Sequence, residues 1–570
     1  MLLTQQSRHA HALAAYQALA EEGCADAALH QAQGDCLQAL GRFEPAVAAY
    51  GAALALEPGR VEALNNRGAA LEALGRLEAA LESFEVVLAA RPDHAQAAYN
   101  RGGILSALGR QAEALSSYDH ALRHRPDFAP AHNNRALALA ALERFDEAVA
   151  AYDAALAPAP RDPATWSNRS AALRAAGRLE AALENADRAL VLRPGFADAE
   201  NARGLALAAL NRWAEAVDSY DRAIALAPDH RDALNNAGIA LTALGRFEAA
   251  RARHAAALAL DPSFAEAEYN LGLLALRLGD PGGWALHEAR WRRSGQPGPT
   301  YPDSHLWLGA EDIAGLTVLL HAEQGLGDTI QFARYAARVK ALGAQVVLQV
   351  QPALKRLMQG LDGADVVTAV DEPLPPVDRH VPLMSLPRVF GLQGEAGYLR
   401  ADPAAAAERS ARLPTGRLRV GLAWSGNPAH GDDRNRSIPL AMLAPLLAGD
   451  AAFVSLQKDP RLADAELFAQ AAIAPFPTSI ADFADTAALI QGLDLVITVD
   501  TSVAHLAAAL GRPTWVLIPR FPDWRWGVDR GDSPWYPTLR LFRQADFGRW
   551  DEVVAEVGAA LDTTIAAHGA

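Results

Sequence analysis

The chain has 570 residues, 51% of them hydrophobic and 21% charged, which is globular in composition and too long for one core, so several domains of roughly 100–200 residues each are expected. A formal charge of −15 and a pI near 5.5 exclude the basic stripe that a nucleic-acid partner requires, although a local basic pocket for one small anion stays compatible with them. Two cysteines, Cys24 and Cys36, are too few for a disulfide scaffold or a thiolate metal site and point to a reducing cytoplasm; no run approaches the roughly 18 apolar residues of a membrane span, and the first residues lack a basic leader with an apolar core.

The first half is periodic. Prolines at 58, 92, 126, 160, 194, 228 and 262 recur every 34 residues, and in step with them glycines stand at 41, 75, 109, 177, 245 and 279, with Glu143 and Asn211 in the two remaining places. A large side chain returns at Tyr50, Phe84, Tyr118, Tyr152 and Tyr220. Helix, glycine turn, helix and proline stop resembles the tetratricopeptide family, with seven full repeats over 27–264 and partial ends, giving an array over residues 1–294. The resemblance implies an α-solenoid, a superhelix with a concave binding groove.

One position of the first helix in each repeat carries Asn66, Asn100, Asn134, Asn168, Asn236 and Asn270, interrupted by Ala202. Asparagine is a mediocre helix former, so its return calls for a task that alanine cannot perform. A side-chain amide donates and accepts, which suits a peptide backbone of any sequence. The placement resembles the asparagine ladder of the O-GlcNAc transferase repeats and implies acceptor-protein binding; bonding to a neighbouring helix is the alternative. Arg67, Arg101, Arg135, Arg169 and Arg203 follow one residue later, about 100° round the helix, and are expected to be solvated or ion-paired.

Residues 276–307 break the repeat with Gly, Pro and Trp, a junction is expected over 295–315, and after it strands alternate with helices. "LTVLLHAEQGLGDTIQFARYAARVKALGAQVVLQV" reads as strand, glycine loop, helix, strand, the unit of a parallel sheet. Its loop has Gly325 and Gly327 but Ile330 where a dinucleotide fingerprint needs a third glycine, and no Lys-Ser/Thr ending of a P-loop. A first lobe over 316–400, a linker over 401–417 and a second lobe over 418–570 together read as a two-lobe α/β architecture of the GT-B type, two Rossmann-like lobes with a ligand at the strand C-termini. "VITVDTSVAHLAAALGRP" places Asp-Thr-Ser at a strand-to-helix junction, where exposed N–H groups and the helix dipole suit a phosphate; helix capping by Thr501 or Ser502 is the alternative.

"GLGDTIQ" followed by "DTSVAHLAAALGRPTW" resembles the paired signatures of glycosyltransferase family nine, the heptosyltransferase-like enzymes, although Ser502 stands where that family has glycine. The repeat array and "DWRWGVDRGDSPWYPTLRLFRQ" extend the resemblance to bacterial repeat-bearing protein glycosyltransferases, among them flagellin modifiers. This resemblance implies that Asp500, Thr501, Ser502 and His505, with Ser425 and Asn427, hold a nucleotide-sugar donor, and that Arg436 neutralises its phosphate; an ion pair with Asp432 or Asp433 is the alternative for Arg436. Asp328 matches the proposed catalytic base, against a role in capping its helix. No Asp-x-Asp occurs in 316–570, so an inverting transfer without a metal or other cofactor is expected. Trp524, Trp526, Trp535 and Tyr536 are expected to pack the lobe rather than stack on a base. The implied function is transfer of a sugar, a nonulosonic acid such as pseudaminic acid or a UDP-linked hexosamine, to Ser/Thr of an acceptor protein such as flagellin. Glycan or lipopolysaccharide transfer and a non-catalytic adaptor are the alternatives.

Overall fold

The computed structural model describes residues 2–23, 26–293, 300–302, 305–475, 477 and 479–568. Cys24 lies outside them; Cys36 is a buried free thiol. The chain divides into two compact units, Met1–Ala240 and Leu241–Ala570. Among the described residues, no helix is long and apolar enough to cross a membrane.

The first unit is a succession of helix pairs with the 34-residue period, from Ala27–Ala39 with Phe43–Leu56 to Ala197–Ala209 with Trp213–Leu226. Each pair turns on a residue in the left-handed region. Gly41, Gly75, Gly109 and Gly177 take φ values of +72 to +76°, and Glu143 and Asn211 are held at +59° in the equivalent places. Glycine adopts this conformation without a Cβ penalty, whereas glutamate does not, so the fold constrains Glu143 against its own preference. The recurring aromatic is buried against its partner helix. Under it sits a second recurring glycine: a Cβ at Gly68 would fall 2.7 Å from the Phe84 ring, and one at Gly102 2.5 Å from that of Tyr118. Ring size and helix approach are thus matched in the repeats that carry both residues.

The second unit begins with the end of the repeat pattern, Phe247–Leu260, Ala265–Arg277 and the short helix Gly283–His287, and continues into two parallel sheets. The first contains β1 (Thr317–His321), β2 (Gln345–Val350), β3 (Val366–Ala369) and β4 (Arg379–Pro382), in the order β3-β2-β1-β4. The second contains β5 (Leu418–Ala423), β6 (Ala451–Ser455), β7 (Ile473–Ala474), β8 (Leu495–Val499), β9 (Thr514–Ile518) and β10 (Leu539–Arg543). Its order, β10-β9-β8-β5-β6-β7, is the 3-2-1-4-5-6 arrangement of a dinucleotide-type fold, read from the opposite edge. The inner strands β1, β8 and β9 are buried along nearly their whole length, as parallel strands covered on both faces must be. The α-solenoid followed by an α/β GT-B region with two Rossmann-like lobes is therefore the architecture observed.

The lobes share one apolar core, and the end of the repeat pattern contributes to it. Trp284 packs edge-on against Trp524 at 5.2 Å, Trp535 at 6.1 Å and Phe332 at 6.3 Å between ring centres. Beside these rings the buried Arg290 joins Glu288, Glu323 at 2.8 Å and the Ser385 hydroxyl at 2.7 Å. Glu323 also accepts from the Met384 N–H, so the loop that leads to Asp328 is tied to the short helix after β4 and, through Arg290, to the one preceding β1.

Candidate functional site

A parallel sheet with this strand order opens a crevice where the order reverses, here between β5 and β8. The loops that leave β5, β6 and β8 line a cleft of about 390 Å³ at that point, with Ala353 contributed by the first lobe. From β5 come Ser425, Gly426 and Asn427, from β6 Gln457, Lys458 and Asp459, and from β8 Thr501 and Ser502. Gln457 fixes the first loop by accepting from the Ser425 N–H at 3.1 Å. Ser425 is 5% exposed, and its hydroxyl has no hydrogen-bond partner among the described residues. Thr501 occupies the cap position of the helix Ser502–Ala509 in an extended conformation without a side-chain bond to it. The capping role considered for Thr501 is therefore not taken up, and the first N–H groups of that helix are left for another acceptor.

Asp500, Arg436, His505 and Asp328 form a network of their own. Asp500 accepts from the Trp526 indole N–H at 2.8 Å, and its backbone carbonyl accepts from the Arg436 guanidinium at 3.0 Å. Arg436 lies on the Cα of Gly426 and 3.8 Å from Asp433, so much of its charge is directed at the protein. His505 is stacked on Trp526 and meets the Tyr536 hydroxyl through Nδ1 at 3.0 Å. A Cβ at Gly327 would stand 2.9 Å from the His505 ring, which explains glycine in "GLGD" by close approach of the two lobes. Trp524, Trp526, Trp535 and Tyr536 are all buried, as the packing expectation has it.

Asp328 does cap its helix, and it does more. One carboxylate oxygen accepts from the Gly325 N–H at 3.0 Å, and the other pairs with the Arg525 guanidinium across the lobes. Arg525 is 9% exposed and also binds Asp523 at 2.9 Å and the Gln331 side chain at 2.6 Å. Burial pushes the Asp328 carboxyl above its ordinary range, against the opposing pull of Arg525. Asp500 is pushed up to about 6 by burial and then by the neighbouring Asp523 charge. Burial holds His505 neutral, well below the usual imidazole range, reinforced by Arg525 and Arg334. Both carboxyls are thus raised in the same direction, chiefly by burial. Among the described residues, no three His, Cys, Asp or Glu side chains are grouped to hold a metal ion.

The asparagines of the array are half-buried and engaged with their neighbours. Asn66 donates to Asp35 at 2.9 Å, Asn134 to the Tyr99 hydroxyl at 3.1 Å, Asn168 to Asn133 at 3.3 Å and Asn236 to Asn201 at 3.0 Å, each on the preceding repeat. Asn100 instead accepts from Gln96 at 2.9 Å. Asn270 belongs to the second unit, on the helix Ala265–Arg277. The inter-repeat bonds give a structural reason for the recurrence that periodicity alone left open. The arginines one residue later pair with carboxylates 16 residues earlier: Arg135 with Asp119, Arg169 with Asp153 and Arg203 with Asp187.

Sequence reasoning missed Arg525, Asp523 and Lys458. Arg525 sits between two tryptophans in "DWRWG", and an obligate cation flanked by two buried aromatics was the available signal. Lys458 follows β6 in an unremarkable turn and had no local signal.

Segments 31–95, 77–123, 104–163, 169–231 and 235–299 match the tetratricopeptide repeat family, and residues 471–518 match glycosyltransferase family 9 (heptosyltransferase). The latter segment contains β7, β8, β9 and the Asp500–His505 junction. Protein FlbA of Caulobacter vibrioides is 25% identical over 330 residues, which is 50% of this chain and 53% of FlbA, so the chain spans about half the length of that curated relative. Among solved structures, YrrB, a tetratricopeptide protein with an unusual peptide-binding site, is 24% identical over 33% of this chain and 97% of its own, with a TM-score of 0.29. PilW, a type IV pilus biogenesis factor, is 23% identical over 36% of this chain and 96% of its own, with a TM-score of 0.34. The chain thus combines matches to tetratricopeptide repeats over its first half with a match to glycosyltransferase family 9 in its second lobe.

Proposed function

We propose that the protein is an inverting, metal-independent protein O-glycosyltransferase that works in the cytoplasm. A nucleotide-sugar lies in the cleft between β5 and β8, its phosphate against the N-terminus of the helix Ser502–Ala509 and within reach of Ser425, Asn427, Thr501 and Ser502. Asp500, His505 and Arg436 form the supporting wall. Asp328 takes the proton of the acceptor hydroxyl as that oxygen attacks the anomeric carbon; the bond to the nucleotide breaks, and its electron pair leaves with the phosphate, stabilised by helix N–H groups and fixed positive charge. The acceptor is a protein held by the repeat array, with flagellin preferred and Ser/Thr as the modified residues. Asn66, Asn100, Asn134, Asn168, Asn236 and Asn270 are its proposed contacts, which requires those that bridge repeats to exchange that bond for one to the peptide.

The observation that carries this reading is the uncapped helix N-terminus beside the unpartnered, buried Ser425 hydroxyl, both at the sheet's switch point. Melting curves with ADP, GDP, UDP and CMP test it, because a ligand that binds only the native state raises its apparent stability. A shift with one nucleotide that Ser502→Trp abolishes supports the site. No shift with any of the four contradicts it.

A further inference from the structure

The chain contains three lysines, and two of them are spent on ion pairs: Lys340 with Asp365 at 2.7 Å and Lys355 with Glu372 at 2.5 Å. Lys458 is the exception. It is exposed, it lines the cleft from the loop after β6, and among the described residues it has no carboxylate partner. It is also the one cation among the cleft's lining side chains; the carboxylates there are Asp482, already engaged by Arg356 and by the N–H groups of the helix it caps, and Asp459. The cation expected from the sequence, Arg436, instead donates to the Asp500 carbonyl and lies against Gly426.

We infer that Lys458 is the cleft's phosphate-binding cation, contacting the phosphate of a nucleotide or its sugar ester. An anion in this cleft meets the helix Ser502–Ala509 end-on, finds an unpartnered hydroxyl at Ser425, and lacks a mobile countercharge unless Lys458 supplies it. An ammonium on a flexible stem suits this task, since it follows a phosphate that moves as the sugar departs. Asp459 beside it accepts from hydroxyls, so the pair matches a ligand made of phosphate and polyol.

The inference rests on the donor-site reading, and calorimetry separates the two. The full chain is titrated with ADP, GDP, UDP and CMP, and the nucleotide that binds is compared with its own nucleoside on wild type, Lys458→Gln and Lys458→Arg. The expected result is a loss of about 10- to 100-fold in nucleotide affinity for Lys458→Gln, the size of one charge-assisted hydrogen bond, with partial recovery in Lys458→Arg. Nucleoside affinity and melting temperature should not move, because Lys458 is exposed and makes no internal ion pair. Equal nucleotide affinity in wild type and Lys458→Gln overturns the role of Lys458 and leaves the donor site standing. Equal losses for nucleotide and nucleoside overturn the phosphate assignment. Failure of all four to bind wild type overturns the donor site, and Lys458 with it.

Discussion

Replacing Asp328 by Asn separates a structural from a chemical role at one side chain. The amide oxygen can still accept from the Gly325 N–H, so the helix cap should survive. What is lost is the charge opposite Arg525, which keeps Asp523 at 2.9 Å and Gln331 at 2.6 Å. Removing one partner of a fully buried pair costs about 3–5 kcal/mol. Here the Asp328 side chain is 20% exposed and Arg525 retains a second carboxylate, so a cost of roughly 1–2 kcal/mol is expected, a fall in melting temperature of about 2–8 °C. Burial has already raised the carboxyl, and a raised carboxyl is a stronger base once ionised. Loss of that base should lower transfer by roughly 10²–10⁴-fold, while nucleotide binding in the other lobe changes little. The assay is transfer of radiolabelled sugar at a temperature where both proteins are folded, with calorimetric nucleotide affinity measured beside it. Near-normal transfer by a folded Asp328→Asn protein refutes the base assignment and leaves Asp328 as a cap and ion-pair partner.

Glu143→Gly should stabilise the repeat array by about 1 kcal/mol, because it removes a left-handed glutamate; a lower melting temperature for residues 1–240 in the variant would contradict this. Gly102→Ala should destabilise the same region by about 1–3 kcal/mol, since its Cβ would lie 2.5 Å from the Tyr118 ring, and Tyr118→Leu in the same chain should recover part of the loss on denaturant titration. His254, at about 4, and His321, at about 3, are depressed chiefly by burial, and His287 and His505 lie well below the ordinary value for the same reason. A depressed imidazole stabilises fully above its unfolded value near 6.5 and loses that contribution as pH falls toward the folded value, by up to about 1.4 kcal/mol per pH unit for each group. The second unit should therefore melt at progressively lower temperature as pH drops from about 6.5 to 4, partly offset by Asp500, whose raised carboxyl acts in the opposite sense up to about 6. A flat melting temperature across that window would contradict the assignment of these histidines as neutral.

The repeats were legible because their signals are local: the glycine turn, the proline stop and the buried aromatic each act within one 34-residue unit. The parallel sheets were legible for the same reason, as apolar strands ending in Gly-Asp or Asp-Thr-Ser, and Ser425, Asn427, Thr501 and Ser502 all prove to line the cleft. What sequence could not disclose was pairing over distance. Asp328 and Arg525 are 197 residues apart, and nothing near either side chain marks the other as its partner. The role of Asn134 was open for a related reason: a half-buried amide serves a ligand or a neighbouring repeat equally well, and only the position of Tyr99 shows where its N–H goes. Arg436 could be singled out from its place in the chain, but its bond to the Asp500 carbonyl, 64 residues away, could not be read there.

Transfer of a sugar to protein is read out by intact-mass spectrometry of an acceptor. Purified flagellin is incubated with the full chain and a mixture of UDP-hexosamines and CMP-linked nonulosonic acids, with EDTA present throughout. Discrete mass increments of one sugar residue, located on Ser or Thr by fragmentation, are expected with wild type in EDTA and should be absent with Asp328→Asn. Increments that require added magnesium or manganese contradict the metal-independent chemistry, and an unmodified acceptor with every donor contradicts flagellin-directed transfer.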